Sequence, residues 1–409
     1  MPNYQGVWSL SEQYQAIGDQ NWIMAPGAPT GVSATAGNEQ ATVSFTAPTF
    51  EGKPPPITGY RATSDPEGIT ATGSSSPITV TGLTNGTSYT FSVQATNSIG
   101  YGASGTSGSA VPSLLERILY FGGNEGAGGT QLNVIEYINP SSTGNGTDFG
   151  DLWTTANGFG GVGSETRAVM ARSTTMQYVT FATTGNTTDF GDLNFNTSGM
   201  AGAGSNTRGL FVGGFNTNID YITIASTGNA TDFGDLSASA DDTPSAMAGA
   251  TRTIFAKVGT ALGGGTSERI EYVTTASTGN AANWGTITSG PRKQNIEAAS
   301  SSTRGLLAGG YMNYPYSLYY NTIEYITISS SGETNDFGDL SQALDAGSFG
   351  SGKTRAVFGG GYTSGGSRIN VLQYVTIAST GNATDFGDLT ASKSGMGTAS
   401  SVHGGNYSG

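Results

Sequence analysis

Apolar residues follow two patterns along this chain. From about residue 25 to residue 113 they alternate with polar ones, in QATVSFTAP, ITGYRATS, SPITVTGL and TSYTFSVQATN. Period two with turn residues between the runs predicts a small antiparallel sandwich. From about residue 114 to residue 409, short apolar runs come in recurring sets. Each set has a run of small residues (GMAGAGS, 199–205) and an arginine opening an apolar run that usually closes in Gly-Gly (TRGLFVGG). A tyrosine within an apolar strand follows (IDYITIAST), then an acidic phrase (STGNATDFGDL, 226–236).

The strand tyrosines are Tyr137, Tyr178, Tyr221, Tyr272, Tyr325 and Tyr374. The aromatics of the acidic phrase are Phe149, Phe190, Phe233, Trp284, Phe337 and Phe386, each 12 residues after its tyrosine. The next arginine (Arg167, Arg208, Arg252, Arg304, Arg355) follows 18 to 20 residues later, whereas the step from arginine to tyrosine, starting at Arg117, ranges from 11 to 21. Length variation therefore sits in one loop, after the Gly-Gly position. Periods of about 40–50 residues holding four strands mark propeller blades. Gly-Gly, a strand tyrosine and an aromatic a dozen residues on resemble the kelch repeat, over six consecutive copies. Gly-Gly is absent after Arg167 and Arg252, and Phe replaces the usual Trp in five copies. The resemblance implies a six-bladed β-propeller.

In such a blade the first strand lies near the crowded axis, where AMAGA (246–250), EAASS (297–301) and GSFGS (347–351) fit by size. The first set starts directly at its second strand, RILYFGG (117–123), and the chain ends in an orphan first strand, GMGTASS (395–401). The C-terminal strand is expected to complete the first blade, which removes two exposed sheet edges.

A length of 409 residues suits more than one domain. Few charges (11%) and 65 glycines fit a β-rich chain with many tight turns, and the recurring β-type runs argue against disorder. A net charge of −13 without a basic patch speaks against nucleic-acid binding. With no cysteine there are no disulfides, zinc–thiolate sites or cysteine nucleophiles. The N-terminus shows no signal-peptide pattern, and no run approaches the ~20 apolar residues of a membrane helix. The expectation is a soluble chain made in the cytosol. Residues 1–24 hold Tyr4, Trp8, Tyr14 and Trp22, more aromatics than so short a piece can bury alone. Trp8, Tyr14 and Trp22 are therefore candidates for anchoring or oligomerisation, with packing on the next domain as the alternative.

LTNGTSYTFSVQATN resembles the fibronectin type III family. Leu83 and Tyr89 match its tyrosine corner, in which the phenol ties down loop backbone, and Phe45 stands where the family usually has Trp. The fold expectation is thus all-β: a fibronectin type III-like sandwich (25–113) followed by a six-bladed kelch-like propeller (114–409).

The chemistry is defined mainly by what is missing. Asp-Phe-Gly, known from kinases, recurs in all copies but the fourth without other kinase elements. The phrase also resembles the Asp box of sialidase propellers: Asp232 and Gly234 fit, but Ala230 replaces its Ser and no Trp follows. It is expected to be a structural turn, TGN giving a tight hairpin and Asp accepting backbone N–H groups. The fourth copy, STGNAANWGTI, loses both acids yet keeps the aromatic and Gly285. Nothing resembles an EF-hand calcium loop. Kelch propellers include copper oxidases, which need a Tyr–Cys crosslink and histidine ligands, and this chain has no Cys and one His, His403. No metal, no cofactor and no enzymatic activity are expected, although a glycosidase needs only two carboxylates. The Asn-x-Thr sequons at Asn145, Asn186, Asn229 and Asn382 are read as turns.

The variable loop of the fifth set reads YMNYPYSLYYN (311–321). Tyr311, Tyr314, Tyr316, Tyr319 and Tyr320 combine apolar area with hydroxyls at low entropy cost, which suits recognition, and flat rings stack on sugars. The neighbouring SGPRKQN adds Arg292 and Lys293, and Tyr362 lies in the corresponding loop of the sixth set. Packing against a blade edge or another subunit is the competing reading. An aromatic leader, a spacer and a terminal propeller resemble tailed-bacteriophage virion proteins, and GVWSLSEQYQAIGDQNW is similar to the start of cyanophage appendage proteins. The resemblance implies a non-enzymatic tail-fibre or capsid-decoration protein, assembled in the host cytoplasm and multimeric on the particle. It would attach to other virion proteins through its N-terminus and to a host glycan or protein through the propeller. A polysaccharide-processing enzyme and a purely architectural part are the alternatives.

Overall fold

The computed structural model describes residues 9–11, 23–53, 56–113, 116–126, 128–197, 199–258, 269–288, 293–312 and 317–402. Among the described residues every named element is a β-strand, and the chain divides into two compact units, Met1–Leu115 and Glu116–Gly409.

The first unit is a sandwich. Thr30–Gly37, Gln40–Thr46 and Ile78–Thr81 form one sheet; Thr70–Gly73, Gly59–Asp65, Thr90–Asn97 and Gly100–Thr106 form the other, in those orders. The alternation of Gln40–Thr46 and Thr90–Asn97 puts Ala41, Val43, Phe45, Phe91, Val93 and Ala95 in one core. Phe45 stacks obliquely on Tyr60 at 4.7 Å. The Tyr89 hydroxyl accepts the Thr84 N–H at 3.0 Å and donates to Glu67 Oε2 at 2.6 Å, fixing the loop as its position predicted.

The second unit contains six antiparallel sheets of four main strands. Sheet 1 takes its first strand, Gly397–Ser400, from the C-terminal end, beside Ile118–Phe121, Val134–Ile138 and Thr147–Asp151. Sheet 2 is Gly160–Gly163, Arg167–Arg172, Thr175–Thr180 and Thr188–Asp192. Sheet 3 is Met200–Gly204, Arg208–Gly213, Asn218–Thr223 and Thr231–Asp235. Sheet 4 is Ala240–Ala248, Arg252–Val258, Arg269–Thr274 and Ala282–Thr286. Sheet 5 is Glu297–Ser300, Arg304–Ala308, Thr322–Thr327 and Asn335–Asp339. Sheet 6 is Ser348–Ser351, Arg355–Gly359, Ile369–Thr376 and Thr384–Ser394.

Second strands are apolar on both faces because each faces two neighbouring sheets. Leu210 and Val212 join a cluster with sheet 4, while Phe211 joins one with sheet 2. Six such clusters bridge neighbouring sheets: five join consecutive sheets, and the sixth, containing Ile118, Tyr120, Val357 and Phe386, joins sheet 6 to sheet 1. One cavity is lined by first-strand residues of all six sheets, among them Gly161, Gly202, Ala246, Ala299, Gly350 and Ala399. A Cβ at Gly161 would overlap the Thr398 carbonyl, so small side chains there are a steric necessity.

The repeated residues make repeated bonds across the junctions. Each arginine guanidinium lies over its strand tyrosine at 4.2 to 4.5 Å. Its Nη1 donates to backbone carbonyls of the next sheet: Arg167 to Ile224 (3.0 Å), Arg208 to Thr275 (3.1 Å), Arg304 to Ile377 (2.9 Å), and Arg355 to Pro140 of sheet 1 (3.4 Å). Five of the tyrosines meet the aromatic 12 residues on edge to face, at 5.9 to 6.2 Å.

The acidic phrase differs from expectation. Thr231–Asp235 is itself the fourth strand, with a bulge: Ile219 pairs with Gly234 and Asp220 with Asp232, so Phe233 is the extra residue and fills the core. STGN is no tight hairpin. It runs along the preceding sheet, Gly228 N–H donating to Phe190 O (2.7 Å) and Ala230 N–H to Asp192 O (2.8 Å). The side chain that accepts backbone N–H is the asparagine. Asn229 Oδ1 takes Asp192 N–H at 3.1 Å, and Asn145, Asn186, Asn280 and Asn382 take those of Asp388, Asp151, Asp235 and Asp339. Asp232 and Asp235 stay exposed on the outer strand, where water solvates them. A Cβ on Gly234 would strike the Gly279 carbonyl of the next sheet, which accounts for the glycine of Asp-Phe-Gly. At the junction of sheets 4 and 5, Gly332–Glu333 pairs in parallel with the fourth strand of sheet 4 instead.

Candidate functional site

The loops following the second and fourth strands emerge at one end of the sheets. In sheets 4 to 6 backbone hydrogen bonds knit four of them together. Tyr311 and Gln294 exchange N–H···O bonds at 2.7 and 2.9 Å. Tyr311–Met312 pairs with Leu318–Tyr319, the Leu344 N–H donates to Tyr320 O at 3.1 Å, and Leu344–Asp345 pairs with Tyr362–Thr363. Tyr311, Tyr319, Tyr362 and Asp345 are thereby gathered in one place.

The Tyr311 and Tyr319 rings are 4.7 Å apart at 49°. Burial raises the Tyr319 phenol above its ordinary value, and nearby Asp345, Tyr311 and Tyr362 raise it further. Arg368 lies over the Tyr362 ring at 5.2 Å. Tyr320 turns inward: Lys293 Nζ lies over its ring at 4.6 Å and its hydroxyl faces Met312 Sδ. Lys293 is buried rather than a surface cation. Its ammonium donates to Thr322 Oγ1 at 2.7 Å and pairs with Glu324 at 3.5 Å, because a cation there satisfies a carboxylate sealed between sheets. Arg292, Tyr314, Tyr316, Trp8, Tyr14, Trp22 and His403 lie outside the described residues.

Behind the tyrosines stands a polar group the sequence did not single out. Asn295 Nδ2 donates to Asp345 Oδ1 at 2.8 Å, and Thr243 bonds to Asn295 Oδ1. Burial raises the Asp345 carboxyl, opposed by the Asn295 amide, the Ala346 N–H and Lys257. Burial, helped by Asp345 and opposed by Lys257, pushes Glu297 up to about 8. Glu297, Asn295, Thr243 and Ala346 line an open cleft of about 100 Å³ shared with Gly160, Gly202 and Thr398, room for several waters. The one sequence signal was Glu297, the single charge in EAASS. Among the described residues, no group of three or more Asp, Glu or His could hold a metal ion.

Glu297 makes stability depend on pH. The folded chain holds its proton up to about pH 8, whereas the unfolded chain releases it near the ordinary carboxylate value of 4.5. Stability therefore falls as pH rises from about 5 to 8 and levels off above. Glu297→Gln is expected to melt progressively higher than the native chain across that window; a constant offset in scanning calorimetry would count against the assignment.

Residues 27–110 match the family model of the fibronectin type III domain. That part of the chain is a fibronectin type III domain. The Tyr89 corner and the two sheets described above belong to it. No curated protein matches the chain. The tyrosine cluster lies outside the fibronectin type III domain. Three large apolar side chains of the second unit are well exposed among the described residues: Trp153, Phe215 and Leu318. Phe215 and Leu318 follow second strands, as the tyrosines do, Trp153 follows a fourth strand, and Phe215 holds a left-handed φ of 59°. Such conformations are costly for an aromatic residue and concentrate at functional sites.

Proposed function

We propose that the second unit is a six-bladed, kelch-like propeller, and that the protein is a non-enzymatic attachment protein of a tailed-bacteriophage virion, binding a host-surface glycan or protein. The propeller reading is supported by the six junction cores, the arginine series that returns from sheet 6 to sheet 1, and the shared cavity of the first strands. On this reading the fibronectin type III domain is the spacer, and the aromatic leader with Trp8, Tyr14 and Trp22 anchors the chain to other virion proteins as a multimer.

The observation that carries the attachment reading is the Tyr311–Tyr319–Tyr362 cluster, on the loops whose length varies between repeats. Aromatic rings with polar tips give large contact area at small entropic cost. The test is a glycan array with the full chain. Binding that Tyr319→Ala weakens about tenfold, the loss of one stacked ring, is the expected result. No glycan bound, together with no adsorption to host cells, counts against the proposal.

Glu297 beside Asp345 favours a second reading, a polysaccharide hydrolase. A carboxyl that stays protonated near neutrality next to another carboxyl is how a general acid is poised. Release of reducing sugar from any bound glycan, lost in Glu297→Gln, would replace the first reading by this one.

A further inference from the structure

We propose that Tyr311, Tyr319 and Asp345 recognise an organic ammonium group, as borne by an amino sugar of a surface glycan. The inference rests on the glycan-attachment reading and names its ligand class. Three observations lead to it. The faces of tyrosine rings carry negative potential and attract cations. Tyr311 and Tyr319 pack against each other at 49° with centroids 4.7 Å apart, too close for a cation between them, and both are half-exposed, so a cation can meet an outer ring face. Asp345 is fixed beside them, its backbone paired with Tyr362 and its carboxylate tied by the Asn295 amide.

The same chemistry already operates on both flanks with the protein's own cations. Lys293 lies over Tyr320 at 4.6 Å and Arg368 over Tyr362 at 5.2 Å. Asp345 is the carboxylate that acts on the Tyr319 phenol; near neutrality Glu297 keeps its proton, and the Lys257 ammonium acts on both acids. An anionic sugar would be repelled by Asp345. A neutral sugar would stack on the rings without using that charge. An ammonium uses both the rings and the charge.

Glu297 adds a linked signature. Near neutrality it keeps its proton, and a cation arriving beside Asp345 favours its ionised form. Binding of a permanently charged ammonium should therefore release protons at pH 7, and its affinity should rise toward pH 9.

The experiment is calorimetric titration of the full chain with a glucosamine hexamer, its N-acetylated counterpart, and choline as a sugar-free ammonium. The glucosamine hexamer is expected to bind at least about tenfold more tightly than the acetylated one at pH 6.5, the gain expected from one desolvated cation–π contact with a fixed carboxylate. Tyr319→Ala and Asp345→Asn should each remove that preference, while Tyr319→Phe keeps it. Choline should bind with proton release. Thermal melting of each variant separates lost binding from lost fold, and the Tyr319 pair decides if Asp345→Asn does not fold. Equal binding of the two hexamers overturns the inference and leaves glycan attachment standing. Binding of neither hexamer overturns it too, and the array then judges attachment separately.

Discussion

Removing residues 395–409 is expected to unfold the whole of Glu116–Gly409, leaving the fibronectin type III domain folded. Gly397–Ser400 is the first strand of sheet 1, paired from Gly397 with Phe121 to Ser400 with Ile118. It also serves both neighbours: Ser348 Oγ donates to Met396 O at 2.7 Å, Ser351 N–H donates to Ser400 Oγ at 3.2 Å, and Gly161 packs on the Thr398 carbonyl. Without it Ile118, Leu119, Tyr120 and Phe121, all buried, lose one flank of their packing. Each such side chain contributes roughly 1.5–3 kcal/mol when fully buried, so the loss is comparable to the ~5–15 kcal/mol stability of a typical domain. Calorimetry should show the fibronectin type III transition and no second cooperative transition. A truncated chain whose second transition survives within a few degrees would show that sheet 1 does not need this strand.

Glu136→Ala is expected to be the most damaging single substitution. Glu136 is fully buried; Oε1 takes Lys393 Nζ at 2.6 Å and Oε2 takes the Thr390 N–H at 2.8 Å, so one side chain joins sheets 1 and 6. Alanine strands a buried ammonium and an amide, at a cost of about 3–5 kcal/mol. The melting temperature of the second unit should drop on the order of 10 °C. Glu136→Gln keeps an acceptor for Thr390 but not the charge, and should fall between. Replacing Glu136 and Lys393 together by Leu and Met should recover much of the loss, because the desolvation of both charges then disappears. A drop below about 1 kcal/mol for Glu136→Ala would mean that water reaches the pair.

Glu136 belongs to a repeat that the sequence reading passed over. The residue before each strand tyrosine is polar and buried: Glu136, Gln177, Asp220, Glu271, Glu324 and Gln373. Gln177, Asp220, Glu271 and Gln373 take the N–H groups of Trp153, Asn194, Ser237 and Ser341, each just beyond the fourth strand of the preceding sheet. Glu324 acts through the Thr334 hydroxyl, which takes Thr288 N–H. The signal was visible as a polar residue in an otherwise apolar strand. Its partner was not, because the chain distance to it says nothing about which strand end lies alongside.

The sequence by itself determined the sandwich, the strand types and the spacing of the repeats, since alternation, size and turn chemistry act within a few residues. It also placed the small residues on first strands and the last strand beside Ile118–Phe121, because an unpaired edge and a missing strand are complementary. Tertiary structure alone decided where polar side chains go. It turned Lys293 inward to Glu324, gave the N–H-accepting role in the acidic phrase to asparagine rather than aspartate, and brought Glu297 and Asp345 from different strands behind Tyr319. Burial and charge pairing are properties of the space between sheets, and residues about 50 positions apart meet there only after every sheet has formed.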